Sequence, residues 1–357
     1  MPGPAGFLRD LRHSLACGCV VVALPPHAPC GLRDALRSLV TAEGAISWVE
    51  VPKEDLALAP ASALAFRLGL SSTPSGPTAP LELGRELNCS TVWVEPEDLA
   101  QTQAWLDFVR SLARSGRSEP AGSLGSVVLC AKATEVSRIE DDAGLEVLRW
   151  RGRVGPTDSL LWVHDLLGDD TSLSGQLRGA IALELGSFDL GLVEALARAP
   201  LGRLLDPVPL LLELSRPLPS TPGDPWATGA EDLWLGTRRS QACFLAAGED
   251  VNEIQRLLWR AELSVVFPAV ESKRLGIVGQ LRSWLTGADE DLADLEIGKV
   301  CHLLRINQAP RARRVVPEAL NELRKAMAHL EPVRAADLVQ AGLVDATEFS
   351  EPRLRTG

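Results

Sequence analysis

The sequence predicts an α/β domain with a mainly parallel sheet, followed by an all-α helical region that contains an antiparallel four-helix bundle. Three observations carry this expectation. Five short apolar runs, bounded by turn-forming residues, recur between Cys19 and Trp150. Each run is continuous rather than alternating, the pattern of strands buried on both faces of a parallel sheet. After Gly155-Pro-Thr-Asp158 the apolar period becomes helical and stays so. The bulk composition agrees, since 357 residues at 46% hydrophobic and 23% charged make a globular chain long enough for two or three cores.

The first strand is Cys19–Leu24, followed by the loop Pro25–Leu32 and the helix Arg33–Val40. This is the layout of a phosphate-binding P-loop. Such a loop has the form Gly-x-x-x-x-Gly-Lys-Ser/Thr because backbone N–H groups wrap the phosphates, lysine neutralises charge and the hydroxyl holds magnesium. Laid over that frame, Pro25 and Cys30 stand at the glycines, Gly31 at the lysine and Leu32 at the hydroxyl. Pro25, Pro26 and Pro29 have no backbone N–H to offer, and no lysine precedes Lys53. The other strands are Ile46–Val51, Thr91–Glu95, Ser126–Ala131 and Leu145–Trp150, with surface loops at Ser71–Thr78 and Ser115–Gly125. Glu95 ends the third strand, where a nucleotide-hydrolysing enzyme keeps a carboxylate for magnesium or the attacking water. Lys132 and Thr134 follow the fourth, in the place of a polar sensor, although strand ends are polar in any α/β domain.

This strand sequence with its helical extension resembles the core and lid of a STAND- or AAA-type P-loop NTPase, in degenerate form, over residues 1–215. The resemblance implies a nucleotide fold that has lost its phosphate cradle, and so no bound cofactor. An active NTPase with an atypical loop, in which Arg33 replaces the missing lysine, is the alternative.

The expected organisation is a P-loop-like α/β domain at 1–158, a helical lid-like region at 159–225, a linker at 226–249, a helical bundle at 250–333 and a tail at 334–357. The lid-like segments are Ser159–Leu167, Leu173–Leu185, Leu190–Ala199 and Val208–Leu214. The bundle segments are Val251–Phe267, Ala269–Leu285, Leu292–Ile306 and Pro317–Leu330, divided by Pro268, the Gly287-Ala-Asp289 turn and the loop Asn307–Val316. Leu257–Pro268 is apolar on most faces and must be covered by other protein.

The fourth bundle segment holds Arg324-Lys-Ala-Met-Ala-His329. An arginine and a histidine so spaced on the last long helix of such a bundle are similar to the HEPN family, whose motif reads Arg-Asn-x-x-x-His. Lys325 replaces the asparagine. The resemblance implies metal-independent RNA cleavage, with His329 as general acid or base and Arg324 stabilising the phosphate charge. Five residues apart on one helix, the two side chains diverge by about 140°, which favours a composite site across a homodimer. Composition alone produces such a pair about once in a chain of this kind, so position on the helix carries its weight. Without function, His329 is a helix-end residue favoured by the macrodipole and Arg324 a solvated charge paired with Glu322 or Glu331.

A formal charge of −11 argues against broad DNA binding or attachment to an anionic membrane, which require clustered Lys and Arg. Seven scattered cysteines suit reduced core thiols, and Cys17-Gly-Cys19 lacks the second pair that a zinc site needs. His164-Asp165, Asp169-Asp170 and Asp141-Asp142 are adequately explained as solvated caps, so no metal is expected. No basic–apolar signal opens the chain and no apolar run approaches the roughly 18 residues of a membrane span, which implies a cytoplasmic protein. The absence of tyrosine beside nine tryptophans matches coding bias in a GC-rich bacterial genome. By resemblance, the combination implies a non-enzymatic scaffold or regulatory subunit of a bacterial anti-phage or conflict system, with a ribonuclease using Arg324 and His329 as the alternative. Its expected partners are other subunits of that system, a second copy through the bundle, and RNA.

Overall fold

The five apolar runs become one five-stranded parallel sheet in a computed structural model, which describes residues 1–42, 47–76, 78–88, 90–119, 123–136, 139, 145–215, 223–286 and 291–349. The first elements are α1 (Pro2–Cys17), β1 (Cys19–Leu24), α2 (Leu32–Thr41), β2 (Ser47–Glu50), α3 (Pro60–Arg67), α4 (Ala79–Leu87), β3 (Ser90–Val94), α5 (Leu99–Ser115), β4 (Ser126–Lys132), α6 (Ala133–Val136) and β5 (Leu145–Arg149). Then come α7 (Pro156–Leu167), α8 (Leu173–Gly186), α9 (Leu190–Ala197), α10 (Leu201–Leu204), α11 (Pro207–Leu214), α12 (Pro225–Thr228), β6 (Glu231–Trp234) and β7 (Thr237–Ser240). The last helices are α13 (Ala242–Ala247), α14 (Val251–Gln280), α15 (Ile297–Ile306), α16 (Arg311–Ala328) and α17 (Ala335–Gln340). No described helix is long and apolar enough to cross a membrane. The Asp141-Asp142 cluster and the Gly287-Ala-Asp289 turn lie outside the described residues.

The chain forms two units, Met1–Gly155 with Leu218–Arg239, and Pro156–Pro217 with Ser240–Gly357. The segment 226–249, expected as a linker, is thus divided between them, and most of it belongs to the sheet unit.

In the first unit the strand order is β2-β3-β4-β1-β5, and every pairing is parallel. Val20, Val21, Val22 and Ala23 of β1 are completely buried, as expected of a strand covered on both faces. From β1 the chain crosses to the β2 edge, returns strand by strand to β4, and passes over β1 to β5. The exits of the neighbours β1 and β4 therefore lead in opposite directions, and in an open parallel sheet such a divergence marks the binding crevice at the carboxyl ends. Leu24 and Lys132 are in register there. Helix α1 buries Phe7 and Leu11, and the Phe7 ring meets Trp150 edge-on at 4.9 Å.

The second unit has one continuous helical core. α8 packs along α14, α14 against α16, and α16 against α15 and α17. Val251–Phe267 and Ala269–Leu285, expected on either side of Pro268, are one 30-residue helix, α14, which stops at Gln280 before a short 3-10 turn at Arg282–Trp284. A helix-interior proline removes one backbone bond and costs about 3 kcal/mol, but Val266 and Val270 flank it fully buried, and their packing keeps the helix whole. Likewise α16 starts at Arg311 rather than Pro317, so most of the expected 307–316 loop is helical.

Candidate functional site

The carboxyl edge of the sheet is the place where a nucleotide fold would act, and the loop after β1 decides what it can hold. Gly31 is the N-cap of α2, in the left-handed conformation at φ 90° and with no side-chain cap. Of the seven residues from Pro25 to Gly31, three are prolines, and the Ala28 N–H is spent on the Pro25 carbonyl at 3.0 Å. The donors that wrap a phosphate are therefore depleted at the apex of the loop.

Around it the charges neutralise one another. Lys53 Nζ meets Glu97 Oε1 at 2.7 Å, and this hydrogen bond with its attendant charge raises the lysine pKa above its ordinary value. Lys132, the last residue of β4, donates to the Glu97 carbonyl at 2.8 Å and lies 3.8 Å from Glu135. Glu95 stands exposed just beyond β3 and receives the Trp93 indole N–H at 3.5 Å. Thr134 is exposed on α6. So Glu95, Lys132 and Thr134 do lie at the expected strand ends, and both lysines near that edge converge on Glu97.

The element that sequence reasoning missed is the segment 224–240. Asp224 caps α12, and the hairpin β6–β7 turns through Leu235 and Gly236, both at positive φ. Asp232 of β6 brings its Oδ2 within 2.9 Å of His27 Nε2, and only 3% of His27 and 4% of Asp232 is exposed. The other oxygen, Oδ1, accepts the backbone N–H groups of Gly152 at 2.9 Å and Leu233 at 2.7 Å. A buried carboxylate needs such a set of donors to offset its lost hydration. Gly229 adopts φ +80°, and a Cβ on it would lie 3.3 Å from the Pro26 ring and 3.5 Å from His27 Nδ1. Trp226 donates its indole N–H to the Trp150 carbonyl at 3.0 Å and joins the core under the sheet. The loop thus receives a negative group, but from the chain itself. The signals were present in sequence: two tryptophans in a supposed linker, and Leu-Gly between Glu-Asp-Leu-Trp and Thr-Arg-Arg-Ser.

In the second unit, Arg324 lies on α16 and its Nη1 donates to Glu296 Oε2 at 3.0 Å. Each charge favours the other, so the Glu296 pKa is lowered and the Arg324 pKa raised. The sequence partners Glu322 and Glu331 are not used; Glu322 takes Lys325 at 2.8 Å. His329 is exposed and caps the helix end, its backbone N–H on the Lys325 and Ala326 carbonyls. Among the described residues no hydrogen bond or ion pair joins Arg324 to His329. Close to this helix end lies an unforeseen group, Glu262 of α14, which is completely buried. Its Oε2 accepts the Val333 N–H at 2.9 Å, Oε1 has no partner, and burial pushes its pKa up to about 8 against the pull of that bond. Asp170, from the acidic clusters, accepts the Ser172 N–H at 3.0 Å, and its bonds to Ser172 lower its pKa. No group of three potential metal ligands occurs among the described residues.

Compared with known proteins, the chain matches no family model and no curated protein.

Proposed function

We propose that this chain is a non-enzymatic scaffold or regulatory subunit, built on a nucleotide-type α/β unit whose phosphate site is spent on internal packing. One observation carries the reading: Asp232 seats a buried carboxylate against His27, in a loop whose prolines cannot donate. A diffusible phosphate would have to displace that carboxylate and would find few backbone donors. The edge of the sheet is then a rigid surface for partner subunits rather than a catalytic crevice. A role in a bacterial anti-phage or conflict system, with other subunits as partners, follows from the resemblance of the sequence. Of the bundle expected at 250–333, the long helices are α14, α15 and α16, with α16 packed against both of the others, and α8 of the lid-like region packs along α14.

Titration of the protein with Mg-ATP by calorimetry tests the proposal. The expected outcome is no heat beyond dilution, and a saturable ATP isotherm with phosphate release would overturn it. The ribonuclease alternative draws support from the exposure of His329 at a helix end. It predicts RNA cleavage that His329→Ala abolishes; under the scaffold reading neither wild type nor variant cleaves RNA.

A further inference from the structure

A groove of about 580 Å³ runs between the C-terminal half of α14 and the first turns of α16, within the second unit. That volume suits a small organic molecule. One wall is apolar, made by Ile277, Val316 and Leu343. The polar lining is Ser272, Lys273, Gln280 and Arg313, and no carboxylate lines the groove.

This is unusual for a chain with 47 acidic residues and a net charge of −11. Several arginines of the same unit are answered by carboxylates, as in Arg256 with Glu253, Arg274 with Glu271, and Arg305 with Glu318. Among the described residues the Arg313 guanidinium makes no ion pair or hydrogen bond, and Lys273 reaches only the Gly342 carbonyl, at 3.5 Å. Arg313 also stands in the first turn of α16, which holds no acidic residue, so the positive end of that helix adds to the field. Gly276 keeps the floor open: a Cβ there meets nothing within 4 Å.

We propose that this groove binds a small organic phosphate, with the phosphate between Lys273 and Arg313 and the organic body on the apolar wall. A phosphomonoester carries about −1.5 to −2 near neutrality and so matches two cations, where a carboxylate would leave one unanswered. The arginine fork fits phosphate oxygens in pairs, and lysine adds a point charge. The proposal does not depend on the reading of the α/β unit.

The test is calorimetric titration of the full chain with phenyl phosphate, inorganic phosphate and phenol. Phenyl phosphate is expected to bind at least tenfold more tightly than either of the others. Lys273→Gln combined with Arg313→Gln should weaken it at least tenfold with the melting temperature unchanged, since both side chains are exposed. Gly276→Leu should fill the groove and abolish binding while raising the melting temperature, because leucine is a better helix former than glycine. Absence of heat from phenyl phosphate overturns the proposal. So does binding unaltered in both variants, or inorganic phosphate binding as tightly as phenyl phosphate.

Discussion

Glu262 and Asp232 show how much one buried carboxyl can decide, and they differ in how many donors each receives. Glu262 has a single donor, and its pKa stands near 8 against an ordinary 4.5. Between those values the folded protein keeps a proton that the unfolded chain releases, so folding binds protons and stability falls as pH rises. The full contribution is present below about pH 4.5 and is lost by about pH 8. Glu262→Gln keeps an acceptor for Val333 and removes the titration. Urea unfolding should show the wild type losing about 3–5 kcal/mol across that window, with the variant nearly flat. Asp232 instead has three donors, His27 and two backbone N–H groups. Asp232→Ala leaves the buried His27 without its partner and the two part-buried N–H groups without their acceptor, and should cost about 3–5 kcal/mol in the same measurement. The exposed pair of Arg324 and Glu296 is a useful contrast, since Glu296→Ala should change stability by less than about 1 kcal/mol. None of these partnerships is legible in sequence, because Asp232 lies 205 positions from His27 and Glu262 lies 71 from Val333.

Among the elements, the strands were read correctly because their signal is local. An apolar run of β-branched residues such as Val20-Val-Val, bounded by glycine and proline, specifies a buried strand whatever surrounds it. Helix ends were read less well. Pro268 looks like a break and Pro317 like a helix start, yet each lies inside a helix; around Pro268, burial of Val266 and Val270 outweighs the missing bond. The hairpin β6–β7 escaped because its turn is Leu235-Gly236 rather than Asn-Gly. Leu235 is held at φ 53° with 76% of its surface exposed, and a branched side chain is strained in that region. Leu235→Asn should therefore stabilise the protein by about 0.5–1 kcal/mol, as asparagine is favoured in two-residue turns of this twist. A fall in the thermal midpoint would show that the Leu235 side chain has packing of its own to lose.

For the whole molecule, the sheet unit is discontinuous in sequence. A fragment ending at Gly155 lacks Trp226, which donates to Trp150, and Asp232, which holds both His27 and Gly152. Such a fragment should lose cooperative unfolding and bind a hydrophobic dye, whereas joining 218–239 back to it should restore a sharp transition. The five strands, their parallel pairing, the change to helices after Gly155 and the three prolines that empty the first loop of donors are legible in the sequence, because each is written in consecutive residues. Arg324 and His329 were legible as a pair of residue types at a helix end, but only the fold shows that Arg324 turns to Glu296. Only the tertiary structure decides which carboxylate meets His27, which prolines a helix tolerates, and where two cations are left without a carboxylate. Those outcomes depend on groups far apart in the chain whose desolvation must be balanced together, and no local pattern encodes that balance.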